Sequence, residues 1–313
     1  MLFDIIVGNP PYIESMTMVL KTPNIRLFCQ TKYEVAQGNW DAYIIFLYIA
    51  HTYIKQQGLS CLITPIKWLT VPYACKLRQI LINDIFILLD LSNEKVFDAG
   101  VSALITLEKK DCNSNFCLCN KNGRKLQCDK KLAIAMDNFN IFFSEYIDIL
   151  NTFNELKPLN HYATVVSSGA TSDAYKIASQ IKAQNSMNNY IFKVITTGVI
   201  QKFNNLYEIK PQKIDKSTIL NPKISKNDLL KINKLRYDIS NQPKIFVSGK
   251  RYLDAFIDIE CEYASYHSVP IILYKDVSLK ALVAIINSTI SFFFINECFS
   301  NLAIDGGISL FML

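Results

Sequence analysis

Residues 3–12 read FDIIVGNPPY, and this stretch decides the fold. The segment from Leu2 to Val7 is a short apolar run with β-branched residues, which predicts a buried strand of a mostly parallel sheet. Gly8 then lets the chain turn where that strand ends. Because ligands of open α/β sheets bind at the carboxyl ends of the strands, the residues after Gly8 are the first candidates for a functional site.

The tetrad Asn9-Pro10-Pro11-Tyr12 combines hydrogen-bond acceptors with a flat ring at that strand end. The two prolines fix φ and lack an N–H donor, so the neighbouring carbonyl groups stay available to a ligand. Asn9 adds an amide oxygen, and Tyr12 adds an aromatic face. The pattern therefore suits a planar molecule that carries an amine, while the alternative interpretation is a rigid turn that binds nothing.

Helical and extended patterns alternate from the tetrad to about residue 110. Gly58 is the predicted stop signal of the first helix, which is apolar nearly all round and therefore buried. This order predicts an α/β fold with a doubly wound sheet and an antiparallel strand at its far end. The predicted helices are residues 41–57 and 73–83, and the predicted strands are 59–64, 86–91 and 101–107.

These segments resemble gamma-class adenine-specific DNA methyltransferases, the family of the TaqI methylase and of the fused type IIG restriction-modification enzymes. The resemblance implies a partial, Rossmann-like methyltransferase sheet followed by a mixed α+β target-recognition domain, and it covers nearly the whole chain. The matching segments are FDIIVGNPPY, residues 41–69, LRQILIN, NEKVFDAGVSALITLEKK, and the looser stretches 164–175, 192–203, 243–251 and 279–299 with Gly306-Gly307.

The resemblance assigns roles to five residues. The Asn9 side chain and the Pro10 carbonyl would accept hydrogen bonds from the exocyclic amine of an adenine that has been rotated out of the duplex. Tyr12 and Phe97 would hold the base between their rings, and Pro11 would adjoin the cofactor, S-adenosylmethionine. The implied reaction is site-specific transfer of a methyl group to DNA adenine in a restriction-modification system, without a metal.

In that family a glycine-rich loop that holds the cofactor precedes the tetrad, and this sequence contains no such strand-to-helix turn. We therefore expect a truncated or split chain that is inactive alone and whose sheet has an unpaired edge. The expected partners are double-stranded DNA and a complementary polypeptide that carries the cofactor-binding half. Three regions are expected: the carboxyl-terminal half of the catalytic domain over 1–110, a connecting segment over 111–158, and a truncated target-recognition domain over 159–313.

The positive charge is concentrated in one segment. The whole chain has a formal net charge of +6, whereas residues 193–251 contain 13 basic and four acidic side chains, a net charge of +9. A solvated basic face needs no ligand, but beside a base-binding motif a phosphate-binding surface is the better interpretation. Lys244, Lys250 and Arg251, with Arg236, are the predicted DNA contacts.

Nine cysteines without a signal peptide indicate reduced thiols in a cytoplasmic protein. Four of them cluster, but their irregular spacing lacks the paired knuckles of a zinc site, so no metal is predicted. The four are Cys112, Cys117, Cys119 and Cys128. The apolar runs 42–54 and 281–295 are broken by polar residues and are shorter than the roughly 20 residues of a membrane helix, so no membrane association is expected.

Two other functions remain open at this stage. One is a non-catalytic DNA-binding specificity fragment that acts only through the basic segment. The other is a protein-glutamine methyltransferase, since those enzymes also carry an Asn-Pro-Pro-Tyr tetrad. The long basic region from residue 151 onward and the aromatic Phe97 count against the second alternative.

Overall fold

The structure is a computed structural model that describes residues 1–92, 94, 102–112, 114–121, 124–153, 156–167, 171–183, 190–248, 253–267 and 269–304. The chain forms two compact units. The first consists of Met1–Leu156 with Glu297–Leu302, and the second consists of Lys157–Asn296 with the residues from Ala303 onward.

The first unit is a mixed sheet with helices. Its strands are β1 (Phe3–Gly8), β2 (Ile54–Pro65), β3 (Ile85–Asp90), β4 (Ala103–Lys109), β5 (Phe116–Lys121) and β6 (Arg124–Asp129). Its helices are α1 (Ser15–Lys21), α2 (Pro23–Lys32), α3 (Ala42–Tyr53), α4 (Cys75–Leu81), α5 (Lys130–Met136) and α6 (Ile147–Phe153).

The six strands follow the order β1-β2-β4-β3-β5-β6. β1 pairs in parallel with β2, whereas β4 is antiparallel to both of its neighbours, β2 and β3. β5 is parallel to β3, and β6 returns antiparallel to β5. The antiparallel strand predicted at the far end of the sheet is present as β6, and β4 is a further antiparallel strand inside the sheet. The β2, β4 and β3 strands thus form a continuous antiparallel ladder, and β1 pairs with β2 at one side of it.

β1 was predicted as a buried strand, and this part of the prediction is wrong. The strand forms where expected, but Ile5 and Val7 are 65% and 74% exposed. The reason is its position, because among the described residues β1 pairs with one strand only. An apolar strand with a single neighbour exposes the side chains that a second neighbour and its helices would cover.

Gly58 does not end the first helix. α3 ends at Tyr53, and Gly58 lies within β2, where a Cβ atom would come within 2.9 Å of the Asp4 carbonyl oxygen. The register of β1 against β2 shifts between Phe3 and Ile5 at this place. A glycine is therefore required because the two backbones approach closely at an irregularity in the ladder.

Residues 111–158 are not a connecting segment. They supply β5 and β6, which extend the sheet of the first unit, and α5, which is capped by the Asp129 side chain. A short helical turn at Phe139–Phe143 is buried, and the Asn138 amide donates a 2.9 Å hydrogen bond to the Cys298 carbonyl oxygen. This region therefore belongs to the core of the first unit.

The second unit contains short strands and helices. Its strands are β7 (Thr164–Ser167), β8 (Ile191–Ile195), β9 (Ile200–Gln201), β10 (Asn204–Asn205), β11 (Gln212–Ile214), β12 (Ser217–Ile219), β13 (Lys223–Ser225), β14 (Lys244–Val247), β15 (Ala255–Asp258), β16 (Tyr263–Ser265) and β17 (Pro270–Leu273). Its helices are α7 (Leu159–Tyr162), α8 (Thr171–Ala183), α9 (Lys226–Ile232), α10 (Lys234–Ser240), α11 (Leu279–Ile286) and the start of α12 (Thr289–Ile304).

The strands of the second unit form several small sheets. One has the order β15-β14-β17-β7, another has the order β13-β8-β16, and β9-β10 and β11-β12 are two-stranded hairpins. Phe246 and Phe256 stack at a centroid distance of 5.4 Å in the buried core between β14 and β15. The mixed α+β character predicted for this region agrees with these elements.

None of the described helices is by itself long and apolar enough to cross a bilayer. Leu279–Ile286 and Thr289–Phe299, which are bent by 56° at their junction, reach that length and composition only together.

Candidate functional site

The tetrad lies in the loop directly after β1, at the carboxyl end of the parallel pair β1–β2. The Asn9 side chain is exposed, and none of the residues that the structure describes forms a hydrogen bond with it. Pro10 is buried, and its carbonyl likewise accepts no hydrogen bond from the described part of the chain. Two oxygen atoms near the end of one strand thus have no hydrogen-bond partner among the described residues.

Tyr12 is held in place by β2. Its hydroxyl donates a 3.1 Å hydrogen bond to the Ile63 carbonyl oxygen, and its ring meets Tyr43 edge-on with centroids 6.4 Å apart. Burial raises the pKa of Tyr12 to about 12. The phenol therefore stays neutral at physiological pH and keeps donating its hydrogen bond to Ile63. This bond fixes the position of the ring.

Asp41 fixes the residues that follow Tyr12. Its buried carboxylate accepts a hydrogen bond from the Ser15 backbone N–H (2.9 Å) and another from the Tyr73 hydroxyl (2.9 Å). The same carboxylate forms a 2.8 Å ion pair with Lys67. The Ala42 N–H also donates to the Ile13 carbonyl oxygen at 2.9 Å. The loop after the tetrad is therefore attached to the start of α3 and to residues just beyond β2.

The sequence did not reveal this role of Asp41. Its position before an apolar helix is typical of an N-cap residue, whose side chain would accept a hydrogen bond from the first turn. The structure shows no such cap at α3, because the carboxylate is directed to Ser15, Lys67 and Tyr73 instead. An N-cap hydrogen bond stabilises a helix by about 1 kcal/mol, and the Asp41 side chain does not form it. The contacts that Asp41 forms instead therefore contribute more to the stability of the fold.

A largely apolar groove of about 690 Å³ runs along β1 and α3 beside the tetrad. Its lining contains no acidic or basic side chain. The lining residues are Phe3, Ile5, Ile6, Val7, Gly8, Asn9, Pro10, Pro11, Phe46, Ile49, Ala50, Tyr53 and Leu62. Such a surface binds apolar groups, and it offers no charged partner to a ligand.

Phe97, the predicted second ring, lies outside the described residues, as do Lys250 and Arg251. Pro11 is exposed next to Pro10 and lines the groove.

Lys244 is not available to DNA phosphate. It is fully buried, and its ammonium group donates to the Asp258 carboxylate (2.7 Å) and to the carbonyl oxygens of Ser240 (2.7 Å) and Gln242 (3.2 Å). All three donors are used in this way. Burial lowers the pKa of Lys244, while Asp258 opposes this effect. The prediction that Lys244 contacts DNA is therefore wrong. Lys244 forms a structural ion pair that joins β14 and β15.

Arg236 is buried as well. Its guanidinium donates a 3.3 Å hydrogen bond to the Tyr266 carbonyl oxygen, and burial lowers its pKa. Arg236 lies in α10, whose N-cap Asn233 accepts a hydrogen bond from the Arg236 backbone N–H. The side chain therefore supports the packing of α10 and is not a surface contact for DNA.

Other cations of the basic segment do reach solvent. Seven lysines between residues 193 and 248 have exposed side chains: Lys202, Lys210, Lys213, Lys216, Lys223, Lys231 and Lys234. Sequence counting found the positive segment, but it could not separate these lysines from the two buried cations.

Cys117 and Cys119 are buried on β5 with their sulfur atoms 3.7 Å apart. Within the described ranges, no three His, Cys, Asp or Glu side chains come together as a metal site would require.

Comparison with known proteins gives a match to one family over the first part of the chain. Residues 1–97 match the model of the Eco57I restriction-modification methylase family, and this match contains the tetrad and the first strands of the sheet. The chain itself has a mixed α/β fold.

Two particular relatives extend this result. The type II restriction enzyme and methyltransferase RM.Eco57I of Escherichia coli is 31% identical over 118 residues, which is 36% of this chain and 12% of that protein. The structure of the type IIL restriction-modification enzyme MmeI in complex with DNA has a TM-score of 0.54 at 12% identity and covers 98% of this chain and 44% of its own. The chain thus spans less than half the length of these relatives.

Proposed function

We propose that this chain is part of a restriction-modification methyltransferase that transfers a methyl group to the exocyclic amine of adenine in DNA. The observation that carries the proposal is the pair of oxygens, on Asn9 and Pro10 at the carboxyl end of β1, that accept no hydrogen bond from the described residues. The family match over residues 1–97 supports the same chemistry. The similarity to RM.Eco57I supports the assignment to restriction-modification.

Asn9 and Pro10 would act on the amine by position and electrostatics. The lone pair of an aromatic amine is delocalised into its ring, so the amine is a weak nucleophile. Accepting a hydrogen bond from each N–H favours a tetrahedral nitrogen whose lone pair faces the incoming methyl group. Neither oxygen needs to change its protonation state for this purpose.

The target base would lie against aromatic rings. Tyr12 offers a ring whose position is fixed by its hydrogen bond to Ile63. We propose Phe97 as the second ring. A base inside a duplex cannot reach these groups, so the adenine must be rotated out of the helix before methylation.

S-adenosylmethionine would supply the methyl group, but the described residues do not form its complete binding site. The groove beside Pro11 has no acidic side chain for a ribose and no charged group for the methionine part. We therefore assign to this chain only a contact at Pro11 and place the remaining cofactor contacts in another segment.

We propose that this other segment pairs with the exposed edge of β1 and covers the apolar groove. Ile5 and Val7 are exposed on a strand that has one neighbour among the described residues. A complementary polypeptide that adds a strand there would satisfy the free backbone groups and bury these side chains. The chain without this segment is expected to be inactive.

The test is reconstitution in trans. The chain is mixed with a polypeptide that carries the expected glycine-rich cofactor loop, and transfer of tritiated methyl groups to DNA is measured. We expect transfer only with both components, and an Asn9→Ala variant should lose roughly 10²-fold or more of it. Full activity of Asn9→Ala would remove Asn9 from the mechanism.

Binding of the cofactor provides a second measurement. Titration of S-adenosylmethionine into the isolated chain should give no micromolar binding, whereas the reconstituted pair should bind it. Tight binding by the chain alone would contradict our assignment of the cofactor contacts.

A non-catalytic DNA-binding specificity fragment is the second candidate, and the exposed lysines of the second unit favour it. The two functions differ in the reconstitution experiment. A specificity fragment would bind DNA equally well with Asn9→Ala and would show no methyl transfer with any partner.

A further inference from the structure

The hairpin segment, residues 200–220, contains an unusual aromatic residue. Phe203 lies at the tip between β9 and β10, its side chain is 60% exposed, and its φ is +62°. A bulky side chain in the left-handed region is strained, and glycine is the ordinary residue there. An exposed and strained phenylalanine at this position therefore does not stabilise the fold of the isolated chain.

The base of this tip is rigid. The Phe203 N–H donates a 2.8 Å hydrogen bond to the Ala255 carbonyl oxygen on β15. Nearby, Tyr207 is buried, and its hydroxyl donates a 2.7 Å hydrogen bond to the Pro222 carbonyl oxygen. Val199 and Ile200 also belong to the buried core. The aromatic tip is thus held on a fixed support.

The hairpin segment also contains exposed lysine side chains. Lys202 is exposed beside Phe203, and Lys213 and Lys216 are exposed on the β11–β12 hairpin. No carboxylate among the described residues pairs with these three lysines. An ammonium group without an acidic partner is free to bind phosphate. The segment therefore combines uncompensated positive charge with an exposed aromatic ring.

We infer that the hairpin segment contacts double-stranded DNA, with Phe203 inserted against a base step and Lys202, Lys213 and Lys216 on backbone phosphates. This inference rests on the proposed function, because it names the residues by which the second unit would bind DNA. Apolar wedges of this kind unstack neighbouring bases, and the lysines neutralise the phosphates beside them. The strained backbone at Phe203 would then serve to hold the ring in the position required for insertion.

The experiment measures binding of the full chain to a fluorescein-labelled duplex of mixed sequence by anisotropy, over a series of salt concentrations. Phe203→Ala should weaken binding about tenfold and leave the salt dependence unchanged, since stacking involves no counterion release. Lys202→Ala and Lys216→Ala should each reduce the slope of log affinity against log salt by about one.

Phe203→Gly separates a binding role from a structural one. Glycine relieves the left-handed strain, so the thermal midpoint should rise while DNA affinity falls. Cys261→Gly is the matched control, because Cys261 has a φ of +57° in the same unit. This variant should also raise the midpoint, but it should leave the affinity unchanged.

Lys234 and Leu235 form a second control. They are an exposed lysine and a 67% exposed leucine on α10, outside the hairpin segment. Lys234→Ala and Leu235→Ala should bind the duplex as the unmodified chain does. If they weaken binding as much as the hairpin variants, binding is a general effect of exposed charged and apolar side chains and the inference fails.

The remaining outcomes are distinct. If the unmodified chain does not bind the duplex, both the DNA-binding role and this inference are wrong. If it binds but the Phe203 variants bind equally well, only the inference is wrong. A change of oligomeric state in the Phe203 variants, at unchanged DNA affinity, would instead assign the tip to a protein contact.

Discussion

The tetrad loop of the first unit and the hairpin segment of the second unit both present groups to solvent, but they are built in opposite ways. The tetrad loop is attached by Tyr12 and Asp41 to β2 and α3, while the oxygens of Asn9 and Pro10 accept no hydrogen bond from the described residues. The hairpin segment instead exposes several lysines and one aromatic ring. A reaction centre needs atoms at fixed positions, whereas a polyanion surface tolerates mobile cations.

Within the second unit, buried cations contrast with the exposed ones. Lys244→Ala leaves Asp258 buried without its cation, and we expect it to lower the free energy of unfolding by about 3–5 kcal/mol. Urea unfolding of the two variants measures this. Lys202→Ala is the matched control, and it should stay within about 0.5 kcal/mol of the unmodified chain. Equal stability of the two variants would mean that Lys244 is not part of the scaffold.

Asp41→Asn tests the attachment of the tetrad loop. It leaves Lys67 without a carboxylate and weakens the hydrogen bond from Ser15, so the free energy of unfolding should fall by about 2 kcal/mol. Hydrogen exchange at the Ser15 amide should accelerate beyond what global unfolding explains.

Asp4→Asn is the control for Asp41. Asp4 pairs with Lys55 on the surface, with its side chain 80% exposed, so its loss should have little effect on stability. Unchanged protection of the Ser15 amide in Asp41→Asn would show that the loop is held by other contacts.

Tyr12→Phe has the smallest expected effect. It removes the hydrogen bond to Ile63 but retains the ring, so the free energy of unfolding should fall by about 1 kcal/mol and methyl transfer in the reconstituted pair should persist. Tyr12→Ala, which removes the ring as well, should lose methyl transfer. Activity of both variants would exclude a role for the ring.

The same residue predicts a pH dependence. The pKa of Tyr12 is raised to about 12 in the folded chain by burial, against an ordinary value of 10.0. Between pH 10 and 12 the unfolded chain therefore binds fewer protons, so this contribution to stability is present below pH 10 and is lost as the pH rises to 12. Phenolate absorbance, compared between the unmodified chain and Tyr12→Phe, should show one late-titrating tyrosine.

Local patterns predicted some elements of the first unit. The apolar run before Gly8 forms β1, and the long apolar segment after Asp41 forms α3, because both signals arise from residues adjacent in sequence. The exposure of the β1 side chains was not predicted, since it depends on how many strands lie beside β1. The close approach at Gly58 depends on Asp4, a residue 54 positions away.

The roles of single charged residues were harder to predict. Lys244 and Arg236 carry the same charge as the exposed lysines, and only the packing of β14, β15 and α10 buries them. Asp41 has the sequence position of a helix cap, and its actual partners come from three different parts of the chain. Such partners are set by tertiary contacts, which composition and periodicity do not contain.

The edge of β1 that pairs with no strand in the described part of the chain has a consequence for the cell that makes this protein. A bare strand edge pairs with any extended backbone, including that of a second copy of the same chain. If the cofactor-binding segment is a separate polypeptide, unequal synthesis of the two would leave surplus copies prone to aggregate. Matched gene dosage, or translation as a single chain, would prevent this.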